Sequence, residues 1–403
     1  MAKPEIRLKG FEGEWEDVCF RDITYLAGTK NRDNLPLPSY SITNENGFVP
    51  QNEQFENGGT MANADKRMYY IVTPDTFAYN PARINVGSIG YDDLDKDVIV
   101  SSLYVIFKTD CKTNNYFLDK WFKTPHFKKL INLYQEGGVR LYFFYDKLCQ
   151  CHLFRPELKE QQSIANYFKS LDSMIQGVTK KIASLKQMKQ ACLVSMFPQA
   201  GETTPRVRFK GFKGEWEKHA LADIAKFSKG SGYSKNDLCD SGTPIILYGR
   251  LYTRYNTQID NVDTFAIQKP NSVLSEGNEI IVPASGETPE DIACAAVVNQ
   301  QGVILGGDLN VIRLDKDFDS YFTSLVITYG DVHYELAKYA QGKSVVHLHN
   351  SDICKASISY PSLKEQQQIA SFFRSLDSQI SLQEARLEKL KQIKSACLDK
   401  MFV

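Results

Sequence analysis

Two segments of the amino-acid sequence each occur twice along the chain. Residues 4–23 read PEIRLKGFEGEWEDVCFRDI, and residues 205–224 read PRVRFKGFKGEWEKHALADI. A second block, 156–197, returns at 361–402 with a constant offset of 205 positions and with 23 of its 42 residues identical. Because these blocks open and close each half of the 403-residue chain, the sequence predicts a tandem duplication with pseudo-twofold symmetry.

The inserts between the repeated blocks share no run of matching residues. Two similar frames with divergent inserts suit a molecule that presents two different binding surfaces in one fixed geometry. Strand-like runs such as 97–107, 279–282 and 303–314 mix with helical stretches such as 117–134 and 321–339. We therefore predict that each insert is α+β, with strands dominating.

The second repeated block predicts a long helix in each half. Its apolar residues occupy heptad positions a and d, namely Phe168, Leu171, Ile175, Ile182 and Leu185 in the first copy and Phe373, Leu376, Ile380, Leu387 and Leu390 in the second. Lys189 and Lys394 interrupt position a. We predict two antiparallel helices of about 40 residues, because the chain leaves the end of the first to build the second domain before returning. The alternative, a helix packed only on its own domain, is less favoured because globular helices average about 11–12 residues.

The predicted fold class is α+β, with two globular α/β domains separated by two long antiparallel coiled-coil helices. The polar segment 198–205, PQAGETTP, is the clearest linker. The predicted segments are a domain at 1–155, a helix at 156–197, the linker, a domain at 206–360 and a helix at 361–403.

Composition indicates a globular protein outside the membrane. No run approaches the roughly 18 apolar residues of a membrane span, and the first 15 residues lack the apolar core of a signal peptide, so we expect a cytoplasmic protein. Cys149, Cys151 and His152 form one local group with metal-ligand character, but no second pair follows at zinc spacing. We predict no metal, and we interpret the group as a strand with alternating buried thiols.

No catalytic motif is recognisable. The run Asn80-Pro81-Ala82-Arg83 shares only its first two residues with the Asn-Pro-Pro-aromatic motif of amino methyltransferases. The chain has no phosphate-binding Walker loop, no HExxH motif and no GxSxG motif. The sequence therefore predicts a chain that binds and does not catalyse.

Binding signals are clearer in the second insert. Tyr248, Arg250, Tyr252 and Arg254 interleave, and Arg can reach guanine O6 and N7 with two bonds while Tyr can stack or donate to phosphate. The alternative for this run is a strand with its aromatic side chains packed inward. Upstream, the loop 229–235 offers phosphate contacts through the residues Lys229, Ser231, Tyr233 and Lys235.

The first insert offers a comparable set of polar and cationic residues, which are Gly59, Lys66, Arg67, Arg83, Asn85 and Tyr91. A small-residue turn also precedes each long helix, and it contributes Arg140 in one half and Lys343 with Ser344 in the other. Lys plus Arg number 16 against 17 Asp plus Glu in 16–155, and 12 against 18 in 217–360. Cations must therefore be concentrated on one face, or a partner must supply phosphate contacts.

Together these motifs resemble the specificity subunit of Type I restriction-modification systems over the whole length. The resemblance is carried by Arg-x-Lys-Gly-Phe-x-Gly-Glu-Trp at 7–15 and 208–216, and by Pro-x-Leu-Lys-Glu-Gln-Gln-x-Ile-Ala at 156–165 and 361–370. It implies that the inserts are target recognition domains, each reading one half of a split double-stranded DNA sequence. It also implies that the long helices form the coiled coil that spaces them.

The resemblance further implies the partners. Two adenine methyltransferase subunits would dock on the repeated regions, and restriction subunits would complete an endonuclease. S-adenosylmethionine, ATP and Mg would belong to those partners, with no cofactor in this chain and no membrane contact. An alternative of a different class is a bivalent adaptor whose inserts bind proteins.

Overall fold

The computed structural model describes residues 3–54, 65–199, 201–342 and 345–403. The chain divides into two compact units. Unit 1 comprises residues 1–179 with 385–403, and unit 2 comprises residues 180–384. Each unit therefore contains one insert and a part of each long helix.

Two helices of 38 residues each dominate the chain. They span Leu158–Ser195 and Leu363–Lys400, which corresponds to about 57 Å each at 1.5 Å per residue. A repeated glutamine fixes the turn before each helix. The side-chain amide of Gln161 donates to the carbonyl of Pro156 at 2.8 Å, and that of Gln366 donates to Pro361 at 2.9 Å.

Within each unit the two long helices run antiparallel. In unit 1 the ring of Phe168 lies 5.9 Å from that of Phe402, and Lys394 contacts Asp172 at 2.6 Å. Residue numbers therefore rise along one helix as they fall along the other, and this confirms the predicted orientation.

Unit 2 has the same arrangement of helices. Lys189 contacts Asp377 at 2.5 Å, and the ring of Phe197 lies 6.0 Å from that of Phe373. The lysines that interrupt the apolar seam at 189 and 394 thus each have a carboxylate partner on the other helix.

Burial along the predicted seam is uneven. Phe168, Leu171, Ile182, Leu185, Phe373, Leu376 and Ile380 are buried, whereas Ile175, Leu387 and Leu390 are half-buried. Phe168 and Phe373 also belong to the apolar cores of their units, which explains their complete burial. Leu171 and Ile182 are buried without belonging to either core, so burial along the seam does not simply follow contact with the cores.

Unit 1 is built on two sheets. A four-stranded antiparallel sheet has the order Thr24–Leu26, Val105–Thr109, Thr76–Tyr79, Ile89–Asp92. A five-stranded sheet has the order Thr29–Lys30, Tyr70–Val72, Val98–Val100, Ser39–Thr43, Gly47–Pro50, with one parallel pair between Ser39–Thr43 and Val98–Val100. A short pair, Glu16–Cys19 with His152–Arg155, joins the start of the unit to the residues before the first long helix.

Unit 2 repeats part of this topology. Its five-stranded sheet has the order Ala225–Lys229, Leu309–Leu314, Glu279–Pro283, Ala296–Val298, Gln258–Ile259, and its four-stranded sheet the order Leu238–Cys239, Phe265–Ala266, Thr243–Ile246, Ile304–Leu305. Two short pairs join Glu217–Ala220 to Ser357–Tyr360 and Ser285–Gly286 to Val346–His347. The first four strands of the five-stranded sheet match the four-stranded sheet of unit 1 in order and direction. The inserts therefore share one four-stranded sheet although their sequences share no run of matching residues.

Short helices complete both units. Unit 1 contains Phe20–Ile23, Gln51–Gln54, Ile84–Val86, Asn115–Trp121, Pro125–Tyr134 and Tyr145–Leu148. Unit 2 contains Leu221–Ile224, Lys235–Asp237, Arg250–Thr253, Pro289–Ile292, Ser320–Tyr329, Asp331–Tyr339 and Asn350–Ile353. No helix in the described ranges is long and apolar enough to cross a membrane.

Within each unit, the opening motif contacts the motif at the start of a long helix. Arg7 donates to both carboxylate oxygens of Glu160 at 2.8 and 2.7 Å, and Arg208 donates to both oxygens of Glu365 at 2.6 and 2.7 Å. Each Arg also donates at 2.6 Å to the carbonyl of a glycine in its own motif, Gly13 or Gly214. Both glutamates are buried, so these bidentate pairs are charged contacts shielded from water.

Removing one partner of such a pair should be costly. We expect Arg208→Met to lower the free energy of unfolding by about 3–5 kcal/mol, because Glu365 would remain charged and buried without its partner. Arg206→Met is the matched control, since the Arg206 side chain is 62% exposed and its pair with Glu202 lies at the surface. Chemical unfolding of the two variants measures the difference. Equal stabilities would contradict a structural role for the Arg208 pair.

Candidate nucleic-acid interface

The interleaved Arg and Tyr residues of the second insert lie on a single helical turn. After the strand Thr243–Ile246 the chain turns at Tyr248 and Gly249 and forms the helix Arg250–Thr253. The alternative of a strand with inward aromatics is therefore wrong for this segment. Residues four apart share one side of a helix, so Arg250 and Arg254 reach the same neighbour.

That neighbour is Asp263. Arg250 donates to one Asp263 oxygen at 3.0 Å and to the carbonyl of Asn261 at 3.2 Å, while Arg254 donates to the other Asp263 oxygen. The hydrogen bonds from Arg254 and Arg250 hold the pKa of Asp263 below its usual value. Only 11% of the Arg250 side chain is exposed, against 61% of Arg254. Arg250 therefore holds the 261–263 loop, and Arg254 is the guanidinium that faces solvent.

The two tyrosines of the segment are exposed to a similar extent, at 36% for Tyr248 and 38% for Tyr252, but their contacts differ. The Tyr252 hydroxyl donates to the carbonyl of Ser285 at 2.8 Å, and burial raises its pKa. Tyr248 packs edge-on against Tyr252 with ring centroids 6.3 Å apart, and part of its ring is exposed. Tyr252 is thus held through its hydroxyl, whereas the exposed fraction of the ring does not distinguish the two tyrosines.

The loop at 229–235 uses most of its polar groups internally. The backbone amides of Gly230 and Ser231 donate to Leu309 and Leu305, and the Ser231 hydroxyl donates to the Leu305 carbonyl at 3.3 Å. A Cβ at Gly230 would lie 1.9 Å from the carbonyl oxygen of Gly306, so this backbone approach requires glycine. The amides are therefore not arranged as an open phosphate cradle.

Tyr233 belongs to the core of this loop. It is buried, and its hydroxyl accepts from the Lys269 amide at 2.8 Å and donates to the Ile267 carbonyl at 3.2 Å. It therefore holds the loop and does not present its ring for stacking. Lys229 and Lys235 remain exposed on either side, so the loop retains two cations at the surface.

A cleft of about 670 Å³ in unit 2 contains both Arg250 and Arg254. Three further cations line it from the long helices, namely Lys186, Lys189 and Arg374. Three carboxylates also line it, namely Asp260, Asp377 and Glu384. These helix cations were not predicted as site residues, because they lie in the repeated blocks and not in the inserts. The sequence feature that could have indicated them is a charged helix face beside the apolar seam.

In unit 1 the candidates around residue 83 lie on an exposed turn. The Asn80 side chain accepts from the amide of Ala82 at 3.0 Å and shapes a turn that leads into the short helix Ile84–Val86. Arg83 and Asn85 are exposed on this turn. Asn80 is therefore a turn residue, whereas Arg83 and Asn85 can meet a ligand.

The remaining candidates of the first insert differ in availability. Arg67 is exposed, Lys66 is half-buried, and Arg67 is within 3.9 Å of Asp65. Tyr91 is half-buried, its ring lies 5.2 Å from Phe77, and its hydroxyl donates to Asp75. Tyr91 is thus held in place, and Arg67 is the more exposed of the two cations.

The small-residue turn before each long helix has the same geometry in both units. Backbone bonds join Glu136 to Tyr142 in unit 1 and Gln341 to His347 in unit 2. Gly137 and Gly342 both have φ +135°, and a Cβ would meet a carbonyl oxygen at 2.2 and 2.0 Å. Arg140 is exposed at the first tip. Three predicted residues, Gly59, Lys343 and Ser344, lie outside the described residues.

The group around Cys149 is not the strand that we expected. Cys149 and Cys151 are buried, but they follow the helix Tyr145–Leu148, and the strand begins at His152. The Cys151 thiol donates to the carbonyl of Lys147, and burial raises its pKa to about 12. His152 lies 2.9 Å from Asp17. In the described ranges no three or more His, Cys, Asp or Glu side chains converge as a metal site.

Comparison with known proteins finds similarity in sequence and in fold. Residues 213–392, which are a little under half of the chain, match the family model described as the Type I restriction modification DNA specificity domain. The curated Type I restriction enzyme MjaVIII specificity subunit of Methanocaldococcus jannaschii is 20% identical over 260 residues, 60% of this chain and 59% of that protein. The match thus spans less than two thirds of that relative.

Two solved structures share the fold of this chain. The crystal structure of an S subunit from M. genitalium covers 100% of this chain and 99% of its own, with 14% identity and a TM-score of 0.62. A chain from a study of complex assembly and conformational transition of the type I R-M system covers 96% of this chain and 97% of its own, with 14% identity and a TM-score of 0.53. The predicted α+β class with two long helices is confirmed.

The two arginines should respond differently to truncation. We expect Arg250→Ala to lower the free energy of unfolding by about 1–3 kcal/mol, because the 261–263 loop loses a shielded charged hydrogen-bond donor. Arg254→Ala should leave stability unchanged, since its side chain is largely in water. Chemical unfolding of the two single variants measures both effects. A larger loss for Arg254→Ala would reverse the assignment.

Proposed function

We propose that this chain is the DNA-sequence-specificity subunit of a Type I restriction-modification complex. Each insert, as a target recognition domain, reads one half of a split double-stranded target. The helix pair sets the length of the unread spacer, and the repeated regions dock two methyltransferase subunits. The recognition domains correspond to 1–155 and 206–360, and the linker to 198–205.

The observation that supports this proposal most strongly is that the repeated regions are alike in the two units, whereas the exposed residues of the inserts differ. Both units contain four antiparallel strands in the same order and the same Arg–Glu pair. Yet their exposed candidates differ, with Arg83 and Asn85 in one unit and Tyr248 and Arg254 in the other. A common scaffold with different exposed hydrogen-bonding groups is suited to reading two different base sequences.

We propose that catalysis and cofactors belong to the partners. S-adenosylmethionine would be bound by the methyltransferase subunits, and ATP with Mg would be used by restriction subunits. The near-neutral and acidic inserts fit binding as part of a complex, because partner subunits can then supply phosphate contacts. The expectation of a cytoplasmic protein is part of the same proposal.

The first test separates DNA readout from a protein-binding adaptor. The purified chain alone should transfer no methyl group, whereas the chain with its methyltransferase should methylate adenines in one split sequence. Binding of that complex to duplex DNA should weaken steeply with salt, because phosphate contacts release counterions. Methylation mapping and a salt titration measure the two effects. Methylation by the chain alone would contradict the assigned division of roles, and salt-independent binding would favour the adaptor.

The second test concerns the spacer. Adding one heptad to both helices, after Ile182 and after Leu387, preserves the seam and lengthens each helix by about 10 Å. At roughly 3.4 Å per base pair, the preferred spacer should grow by about three base pairs. Selection of bound sequences from a library of split duplexes with variable spacers measures this change.

The control for the spacer test adds the heptad to one helix alone. This variant has the same added residues but mismatched helix lengths, so it should not prefer the longer spacer. The bases selected in each half should stay the same, because neither insert is altered. Unchanged spacer preference in an active doubly lengthened variant would show that the helices do not set the spacing.

A further inference from the structure

A four-residue contact joins three elements of unit 2. The Tyr321 hydroxyl, on the helix Ser320–Tyr329, donates to Asp377 of the second long helix at 2.7 Å. Lys189 of the first long helix donates to the other oxygen of Asp377 at 2.5 Å. Arg374 lies over the Tyr321 ring, 4.5 Å from its centroid. One carboxylate therefore ties the insert to both long helices.

Unit 1 contains the same contact. The Tyr116 hydroxyl donates to Asp172 at 2.9 Å, and Lys394 donates to the other oxygen of Asp172 at 2.6 Å. Lys169 lies 4.8 Å from the centroid of the Tyr116 ring. Lys120, which is buried, adds a second ammonium to Asp172 at 2.9 Å. We call each set of tyrosine, aspartate and lysine a Tyr–Asp–Lys junction.

The two junctions use equivalent positions of the duplicated chain. Tyr116 and Tyr321, Asp172 and Asp377, and Lys189 and Lys394 are each 205 positions apart. The long helices exchange roles, because the first supplies the aspartate in unit 1 and the lysine in unit 2. Both tyrosines lie inside the inserts, where the sequence otherwise diverges. The contact geometry is thus the same in both units, although most of the insert sequence differs.

The energetic cost of placing charged groups in the seam argues that the junctions have a specific role. A lysine at an apolar seam position costs stability and is retained where it specifies one arrangement of helices. The junction is also well shielded, since only 17% of Lys189 and 30% of Asp377 is exposed. In unit 1 burial opposes ionisation, yet Lys394 and Lys120 hold the pKa of Asp172 near 2, so the carboxylate stays charged.

The junction of unit 2 is close to the predicted reading residues. Lys189, Tyr321 and Asp377 line the same cleft as Arg250 and Arg254. Arg374 also donates to the side chain of Gln258 at 3.0 Å, and Gln258 belongs to the insert's own sheet. The junction is therefore in direct contact with the part of the insert that surrounds Arg250 and Arg254.

We propose that the two Tyr–Asp–Lys junctions are positioning elements that fix the angle of each recognition domain on the helix pair. A fixed angle restricts the spacer lengths at which both domains can engage DNA together. The inference rests on the proposed function. It assigns to the junction residues a role in discriminating between spacer lengths, although they contact no base. A loosened junction should thus weaken spacer discrimination and leave half-site reading intact.

The test compares the native complex with the variant Tyr116→Phe/Tyr321→Phe and with the variant Lys189→Met/Lys394→Met. The probes are the split duplex found by methylation mapping, the same duplex with its spacer lengthened or shortened by one base pair, and each half-site alone. We expect the affinity ratio between the native and altered spacers to fall about tenfold in either variant, as expected for loss of a shielded charged hydrogen bond. Affinity for each half-site alone should not change.

Lys181→Met is the control. Lys181 lies on the same helix eight residues before Lys189, its side chain is exposed, and it does not line the cleft. This variant should keep native spacer discrimination, and Lys189→Arg/Lys394→Arg should restore most of it by retaining the charge. Thermal unfolding identifies folded variants, and the tyrosine variant decides the question if the methionine variant does not fold.

Two results would overturn the inference. One is an unchanged spacer ratio in the folded variants. The other is an equal loss of affinity for the split site and for each half-site, which would indicate a merely structural role. Failure of the proposed function has a different signature, because the native complex itself would then show no preference for any spacer.

Discussion

A buried bidentate ion pair is the contact on which each unit depends. Arg7 in unit 1 and Arg208 in unit 2 are supplied by the opening motif, whereas Glu160 and Glu365 are supplied by the first turn of a long helix. The pair thus closes a loop of about 150 residues and brings the beginning and the end of each insert together. Everything between these points can vary provided that its ends still meet there.

This constraint explains which features could be predicted from the sequence. Arg7 and Glu160 belong to motifs that recur in the sequence, so the repeated regions could be predicted. The two long helices follow from the heptad pattern, and their antiparallel orientation follows from the direction of the chain. The common strand order of the inserts could not be predicted in this way. Pairings such as Val105 with Tyr79 and Ile280 with Ile312 require only compatible strands and buried faces, which many different sequences provide.

The candidate interface was less predictable because its decisive contacts are distant in sequence. Arg250 resembles a reader until Asp263 is seen to hold it, and Tyr233 resembles a stacking residue until its hydroxyl is found among Ile267 and Lys269. Arg254 remains exposed because Asp263 lies at the surface and does not draw it inward. A residue type indicates which contacts are possible, and tertiary packing decides which are used.

The spacing of equivalent residues also shows where recognition domains can be exchanged. The offset between the halves is 201 positions at Ile23 and Ile224, but it is 205 from Asp110 and Asp315 onward, and in both halves the later residue donates its amide to the earlier carbonyl. The difference of four residues is thus confined to 24–109 and 225–314. A graft limited to these segments would carry a new surface and leave Tyr116 and Tyr321 with the host. Grafts that extend further would replace the helix that carries the tyrosine and so change its contact with the long helices.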